Sequence, residues 1–134
     1  CREFKPPRVQ FAGEFAIGWA RGLMEYLGHY LFAFALTLGV ELAVAVPVLA
    51  PGGSVGRRVA AVTVAQLATH PSVWFFWPQF GWTRPVYLLV AESFALVVEL
   101  LIYRLVFQKL AWSRALAASA LANGASVVLG AWLQ

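Results

Sequence analysis

The sequence has few charged residues and a single cysteine, and both scarcities exclude classes of protein. Charged side chains make up 12% of the 134 residues, whereas a soluble domain has about 25%. One cysteine excludes an internal disulfide and any cysteine-based zinc or redox motif. Phosphate-binding glycine loops, nucleotide fingerprints and nucleic-acid modules are absent as well. The chain is therefore neither an ordinary soluble domain nor a nucleic-acid-binding protein.

Hydrophobic residues make up 61% of the chain and are concentrated in long runs. A transmembrane helix needs about 20 consecutive, mostly apolar residues. The runs that meet this length are residues 30–50, 57–79, 86–107 and 112–133. We therefore predict an all-α membrane protein, in which residues 30–134 form an antiparallel bundle of four transmembrane helices within the lipid bilayer.

The residues before the first predicted span divide into two segments. Residues 1–10 hold three basic residues and the pair Pro6-Pro7, a composition typical of an extended leader. Residues 11–29 are too polar to span but have apolar residues at helical spacing, which predicts an amphipathic helix in the membrane interface. Cys1 is a candidate for lipidation, the alternative being an arbitrary start of the chain.

Basic residues near the ends of the spans predict the orientation, because short loops rich in lysine and arginine stay in the cytoplasm. One side of the predicted bundle holds five of them, whereas the tight loop on the other side holds only Arg84. We therefore place both termini outside the cytoplasm, in a bacterial inner membrane. The five residues are Arg57, Arg58, Arg104, Lys109 and Arg114.

Glu41, Glu92 and Glu99 lie inside the predicted spans. A charged side chain at the bilayer centre costs about 2.5–3.5 kcal/mol on insertion scales, so such residues face the protein interior, pair or take up a proton. Glu92 and Glu99 are seven residues apart, which places both on one face of the third span. These glutamates are the first candidates for a functional site.

Polar residues of the other spans fall at depths that match the glutamates. His70 lies nine residues from Gln79 at the end of its span, and Glu92 lies seven from Pro85 at the start of its own. The imidazole can therefore pair with the Glu92 carboxylate. The predicted ladder runs from His70 and Glu92, through Glu41, Gln66 and Asn123, to Glu99 and Tyr103, with Ser93, Ser119 and Ser126 as supporting polar residues.

Chains of titratable groups form proton relays and cation paths in membranes. The leading hypothesis is therefore a protein whose bundle interior binds or conducts a cation, above all protons, and its candidate residues are Glu41, His70, Glu92, Glu99 and Asn123. The alternative is a non-catalytic subunit or assembly factor, in which the same residues join helices through hydrogen bonds. Four short helices rarely enclose a pathway alone, so we expect a homo-oligomer or other membrane subunits.

A third hypothesis is an intramembrane metal-dependent enzyme. His70 and Glu92, with Glu41 and Glu99, offer nitrogen and oxygen ligands to zinc or another divalent ion. This signal is weak, because the spans supply one histidine and no paired-histidine motif, and the serines lack a recognisable base. We therefore expect no enzymatic activity, and the sequence leaves any cofactor undetermined.

A pattern of small and polar residues runs through the second half of the second span and the last two spans. It comprises Thr69-His70-Pro71 and Trp74, then Glu92, Glu99 and Tyr103, and then Arg114-Ala115, Ser119, Ala122-Asn123, Ser126 and Gly130. This pattern resembles that of small uncharacterised prokaryotic four-helix integral membrane proteins. The resemblance implies the four-helix membrane fold and carries no known activity.

Overall fold

The computed structural model describes the backbone of residues 11–132 and the side chains of residues 20–132. Cys1 and the rest of the predicted leader, residues 1–10, lie outside the described residues. The chain divides into two compact units, Cys1–Phe32 and Ala33–Gln134. The second unit holds every contact on which the candidate site depends.

The described residues form four long helices and no strand. This confirms the all-α class. Each long helix also belongs to a stretch that is long and apolar enough to cross a membrane. The helices are α1 (Phe11–Val48), α2 (Val55–Pro71), α3 (Arg84–Val106) and α4 (Trp112–Trp132). The membrane-capable stretches are Ala20–Val48, Val55–Phe80, Arg84–Val106 and Trp112–Trp132. The last three agree with the predicted spans to within two residues at each end.

Helix α1 is longer than the predicted first span. It continues without a break from Phe11 to Val48, so no helix end separates the segment predicted to lie in the interface from the span that follows. The only proline in α1 is Pro47, in its last turn, so nothing in the covalent backbone interrupts the earlier turns. A change in polarity along a helix does not by itself end the helix.

Helix α2 changes its hydrogen-bonding pattern at Pro71. The regular α-helix ends there, and the chain continues as a π-helical turn over Ser72–Phe76 and a 3₁₀ turn over Trp77–Phe80. Proline has no N–H to donate, so the turn that contains it loses a helical hydrogen bond. The chain direction then changes at Gly81, which has a φ of 63° that glycine adopts without strain.

The second unit has a buried apolar core to which all four helices contribute. Helix α3 packs against both α2 and α4. Small side chains predominate in this core, which allows the helices to approach closely. Its members include Ala45, Leu49, Ala61, Val62, Ala65, Tyr103, Phe107, Leu110, Ala115, Ala118 and Ala122.

Two arginines at the start of α2 bind carbonyl groups near the ends of other helices. Nη2 of Arg57 donates to the carbonyl of Val106 in α3 at 2.6 Å, and Nη1 of Arg58 donates to the carbonyl of Val46 in α1 at 2.7 Å. Carbonyls in the last turn of a helix lack intrahelical partners, and basic side chains are favoured there. The two arginines therefore tie the ends of α1 and α3 to the start of α2.

Candidate functional site

A cavity of about 230 Å³ lies among the four helices of the second unit. Its polar lining comprises Thr37 and Glu41 of α1, Gln66, Thr69 and His70 of α2, Arg84 and Glu92 of α3, and Asn123 and Ser126 of α4. Four of the five candidate ion-binding residues therefore meet in one cavity, and Glu99 is the fifth. Each of the four helices thus contributes polar side chains to the cavity.

Glu41 is fully buried, with an exposed fraction of 0%. Neither of its carboxyl oxygens has a hydrogen bond within the described part of the chain. The side chain of Gln66 lies beside it, and the buried Oε1 of Gln66 also lacks a donor there. Buried acceptor atoms of Glu41 and Gln66 thus lack a donor within the described part, and the two side chains are close enough to interact. A proton or a cation on Glu41 would satisfy both, because each can interact with two oxygen atoms at once.

Glu99 is also fully buried, but its surroundings differ. Nδ2 of Asn123 donates to Oε2 of Glu99 at 2.6 Å, and Oγ of Ser119 donates to the same oxygen at 3.0 Å. Ser119 and Asn123 are four residues apart and therefore share one face of α4. Oε1 of Glu99 is buried and has no hydrogen bond within the described part. Glu99 therefore joins α3 to α4 through one oxygen and keeps the other available.

The carboxyl groups of Glu41, Glu92 and Glu99 form one electrostatic cluster. Glu41 and Glu99 lie close enough for their charges to interact, and Glu92 interacts with both. Glu92 is only partly buried, whereas the other two have no exposed surface. Like charges at short range repel strongly where the dielectric constant is low. Negative charge on all three carboxyl groups at once is therefore unfavourable.

His70 lies in the cavity wall between two aromatic rings. Its imidazole packs edge-on against Phe34, with the ring centroids 5.3 Å apart, and lies 6.1 Å from the ring of Trp74. The hydroxyl of the neighbouring Thr69 donates to the carbonyl of Ala65 at 3.0 Å. His70 and Glu92 line the same cavity. Their direct pairing stays a prediction.

Two residues of the predicted ladder do not contribute as expected. Tyr103 is buried one turn after Glu99, but its hydroxyl has no hydrogen bond to Glu99 or to any other group within the described part. Ser93 is exposed and lies outside the cavity. Ser126, by contrast, lines the cavity, and its hydroxyl donates to the carbonyl of Asn123 at 2.9 Å.

The cavity also contains lining residues to which the sequence analysis gave no role in the site. Thr37 precedes Glu41 by one helical turn, and Trp74 follows His70 by one turn. Arg84 lines the cavity from the first turn of α3, although its position in the sequence indicated only membrane topology. A search at a spacing of four residues from each candidate would have found Thr37 and Trp74.

The described side chains contain no group of three or more histidine, cysteine, aspartate and glutamate residues arranged to hold a metal ion. His70 and Glu92 were the candidate metal ligands in the sequence. Both line the cavity, yet they do not belong to a ligand set of the size that zinc requires. The hypothesis of a metal-dependent enzyme thus has no support among residues 20–132.

The fold and the cavity define a class, an all-α chain with four helices able to cross a membrane and a polar cavity among them. No protein-family model, curated protein or solved structure matches the chain. The resemblance to small prokaryotic four-helix membrane proteins therefore stays a prediction. The function has to be argued from the side chains themselves.

Proposed function

We propose that this chain is a small multi-pass membrane protein whose interior cavity binds a cation, above all a proton, and passes it on. The carboxyl groups of Glu41 and Glu99 hold the cation, and His70, Glu92 and Asn123 assist. The observation that carries this proposal is the full burial of Glu41 with no hydrogen bond to either oxygen, beside a second buried carboxyl group. Two buried carboxyl groups so close together are costly to keep charged inside a membrane, so a proton or another cation is favoured there.

The choice of a proton over a larger ion follows from the ligands. A proton needs one acceptor atom at a time, and the carboxyl groups of Glu41, Glu92 and Glu99 offer several. A divalent ion needs a shell of six or more oxygen ligands, or a tetrahedral set of nitrogen, sulphur and oxygen atoms. The described side chains hold no such cluster of acidic, histidine or cysteine residues.

The proposed arrangement in the membrane is an antiparallel bundle with both termini outside the cytoplasm of a bacterial cell. The short connections before α3 and α4 support it, because helices joined by a few residues pack as antiparallel neighbours. The five basic residues near the connections then face the cytoplasm. The interfacial position of residues 11–29 and the lipidation of Cys1 stay predictions.

The cavity lies nearer to the start of α3 than to its end. Its lining on α3 begins at Arg84 in the first turn and extends to Ala95 near the middle of the helix. Farther along α3, the side chains of Tyr103 and Phe107 are buried in the apolar core. We place the entry of the cation at the Arg84 end, and complete passage then requires a rearrangement of the core or a neighbouring subunit.

A second candidate function, a structural or assembly subunit, is favoured by a different observation. The bonds from Asn123 and Ser119 to Glu99 join two helices within the bundle, which is what interhelical hydrogen bonds do in membrane proteins. If the acidic residues served only to join helices, their affinity for protons would have no part in the function of the protein. Partner subunits or further copies of the chain would then supply the activity.

The deciding experiment measures proton binding and proton flux in the same preparation. The protein is reconstituted into liposomes that contain a pH-sensitive dye, and infrared difference spectroscopy follows the carbonyl band of protonated carboxyl groups. Glu41→Gln and Glu99→Gln should each remove intensity from this band and abolish the flux. Glu25→Gln serves as the control, because Glu25 is exposed and does not line the cavity.

Two outcomes would contradict the proposal. Unchanged flux in folded Glu41→Gln and Glu99→Gln proteins would exclude a role of these carboxyl groups in transport. Normal behaviour of both glutamine variants, combined with failed assembly of Glu99→Leu, would favour the structural role, because glutamine keeps an acceptor for Asn123 and leucine does not.

A further inference from the structure

The end of the bundle opposite Arg84 carries positive charge without any acidic residue to balance it. Arg57 and Arg58 open α2, and Arg104, Lys109 and Arg114 surround the connection between α3 and α4. Residues 42–91 and 100–134 contain no aspartate and no glutamate. An excess of this kind at a membrane surface attracts anions.

Four of these basic residues divide into two groups by how far backbone carbonyls engage them. Arg58 and Arg104 are engaged with backbone carbonyls: Arg58 with those of Val46 and Ser54, and Arg104 with those of Gln108 and Leu110. Arg57 donates its Nη2 to Val106, but its Nε and Nη1 have no acceptor within the described part.

Lys109 has no hydrogen bond or ion pair within the described part, and it lies in an exposed position. Lys109 and Arg57 line one cavity of about 360 Å³. The rest of its lining includes Pro51, Gly52, Gly53, Gln108 and the backbone around Phe107. Its volume falls within the range of about 300–1,000 Å³ that is usual for small-ligand sites. The ammonium of Lys109 and the partly engaged guanidinium of Arg57 thus face a space large enough for a ligand.

The wall of this cavity is held in place by a close contact. Gly52 packs against the ring of Phe107, so closely that a Cβ at position 52 would lie 2.8 Å from Cδ1. The guanidinium of Arg57 lies over the same ring, 5.5 Å from its centroid. The ring of Phe107 contacts both the loop at Gly52 and the guanidinium of Arg57. It therefore fixes their relative positions in the wall of the cavity.

We infer that this cavity binds a phosphate group, through the guanidinium of Arg57 and the ammonium of Lys109. Arg57 keeps N–H donors for phosphate oxygens beside its bond to Val106, and Lys109 adds a point charge. The cavity lies at the connections between membrane-capable helices, where phospholipid headgroups are the most abundant source of phosphate. The ligand is therefore the headgroup of an anionic phospholipid, and the site is independent of the cation cavity.

The test is native mass spectrometry of the detergent-solubilised protein titrated with phosphatidylglycerol, and with phosphatidylcholine of the same acyl chains. Wild-type protein should retain one phosphatidylglycerol at least about 10-fold more tightly than phosphatidylcholine. Lys109→Gln should weaken this binding about 5-fold, the contribution expected of one basic residue at an anionic surface. Lys109 makes no hydrogen bond within the described part, so the variant should fold normally.

Arg114→Gln is the matched control, since it removes the same charge from the same end and Arg114 does not line the cavity. Its affinity for phosphatidylglycerol should change less than 2-fold. An equal loss in Lys109→Gln and Arg114→Gln would overturn the inference, because the effect would then reflect net charge alone. Displacement of the lipid by 10 mM inorganic phosphate would overturn the lipid as ligand and identify a soluble phosphate instead.

Discussion

The amide of Asn123 in α4 donates to Oε2 of Glu99 in α3 at 2.6 Å, and Asn123 also lines the cavity that contains Glu41. Asn123 therefore connects the one candidate glutamate that lies outside the cavity wall to the polar groups within it. The same amide nitrogen lies 3.0 Å from the carbonyl of Ser119, so its orientation is fixed from two directions. A buried hydrogen-bond network of this kind favours one arrangement of its side chains. Any other arrangement would leave a buried polar group without a partner, which costs free energy.

Replacement of Asn123 by alanine should destabilise the protein by about 1–3 kcal/mol, the usual cost of leaving a buried polar group without its partner. Glu99 would lose its shortest hydrogen bond and keep only that from Ser119. Denaturant unfolding in detergent, followed by circular dichroism, measures the change. Ser93→Ala is the control, because Ser93 is exposed, and its free energy of unfolding should stay within about 0.5 kcal/mol of wild type.

Replacement by leucine should change the stability of the protein differently at Glu99 and at Glu41. Glu99→Leu removes the acceptor of Ser119 and Asn123 and should destabilise the protein by about 1–3 kcal/mol. Glu41→Leu removes a buried carboxyl group that has no hydrogen bond within the described part, and it should leave stability unchanged or raise it by up to about 2 kcal/mol. Equal destabilisation by both would show that Glu41 has a bonding partner in the folded protein. Unfolding curves of the two variants in one detergent provide the comparison.

The sequence predicted the membrane-capable helices well because the constraint is one of length and polarity. A bilayer core requires about 20 apolar residues, and such runs are visible without knowledge of packing. The extent of α1 could not be predicted in this way. Residues 11–29 are more polar than the span after them, yet the helix continues through both, since backbone hydrogen bonding is indifferent to that change.

Depth along a helix could also be predicted, because each residue adds a fixed rise of about 1.5 Å. This is why counting residues brought Glu41, His70, Glu92 and Asn123 into one cavity. Rotation about the helix axis could not be counted in the same way, since it depends on which face packs against a neighbour. Ser93 is adjacent to Glu92 in sequence but is exposed.

Substitution of Arg104 by lysine should destabilise the connection between α3 and α4 by about 1 kcal/mol. The guanidinium lies over the ring of Trp112, 4.6 Å from its centroid, and donates to the carbonyls of Gln108 and Leu110. Lysine keeps the charge but loses the planar stacking surface and the paired donors. Arg114→Lys is the control, and a thermal unfolding scan in which both variants lose the same stability would contradict this assignment.

Gly52→Ala should destabilise the protein by about 1–3 kcal/mol through steric overlap, the usual cost of overpacking a filled site. The added Cβ would lie 2.8 Å from Cδ1 and 2.9 Å from Cγ of Phe107, closer than carbon atoms approach without displacement. Phe107 is buried in the apolar core, so its ring has little room to move. Gly56→Ala is the matched control, because a Cβ there meets no atom within 4 Å. Gly56 lies in α2, so this substitution should stabilise the helix by up to about 1 kcal/mol. Chemical unfolding of both variants should therefore shift the midpoint in opposite directions. A shift of the same sign and size would mean that the loop around Gly52 moves away from Phe107 at no cost.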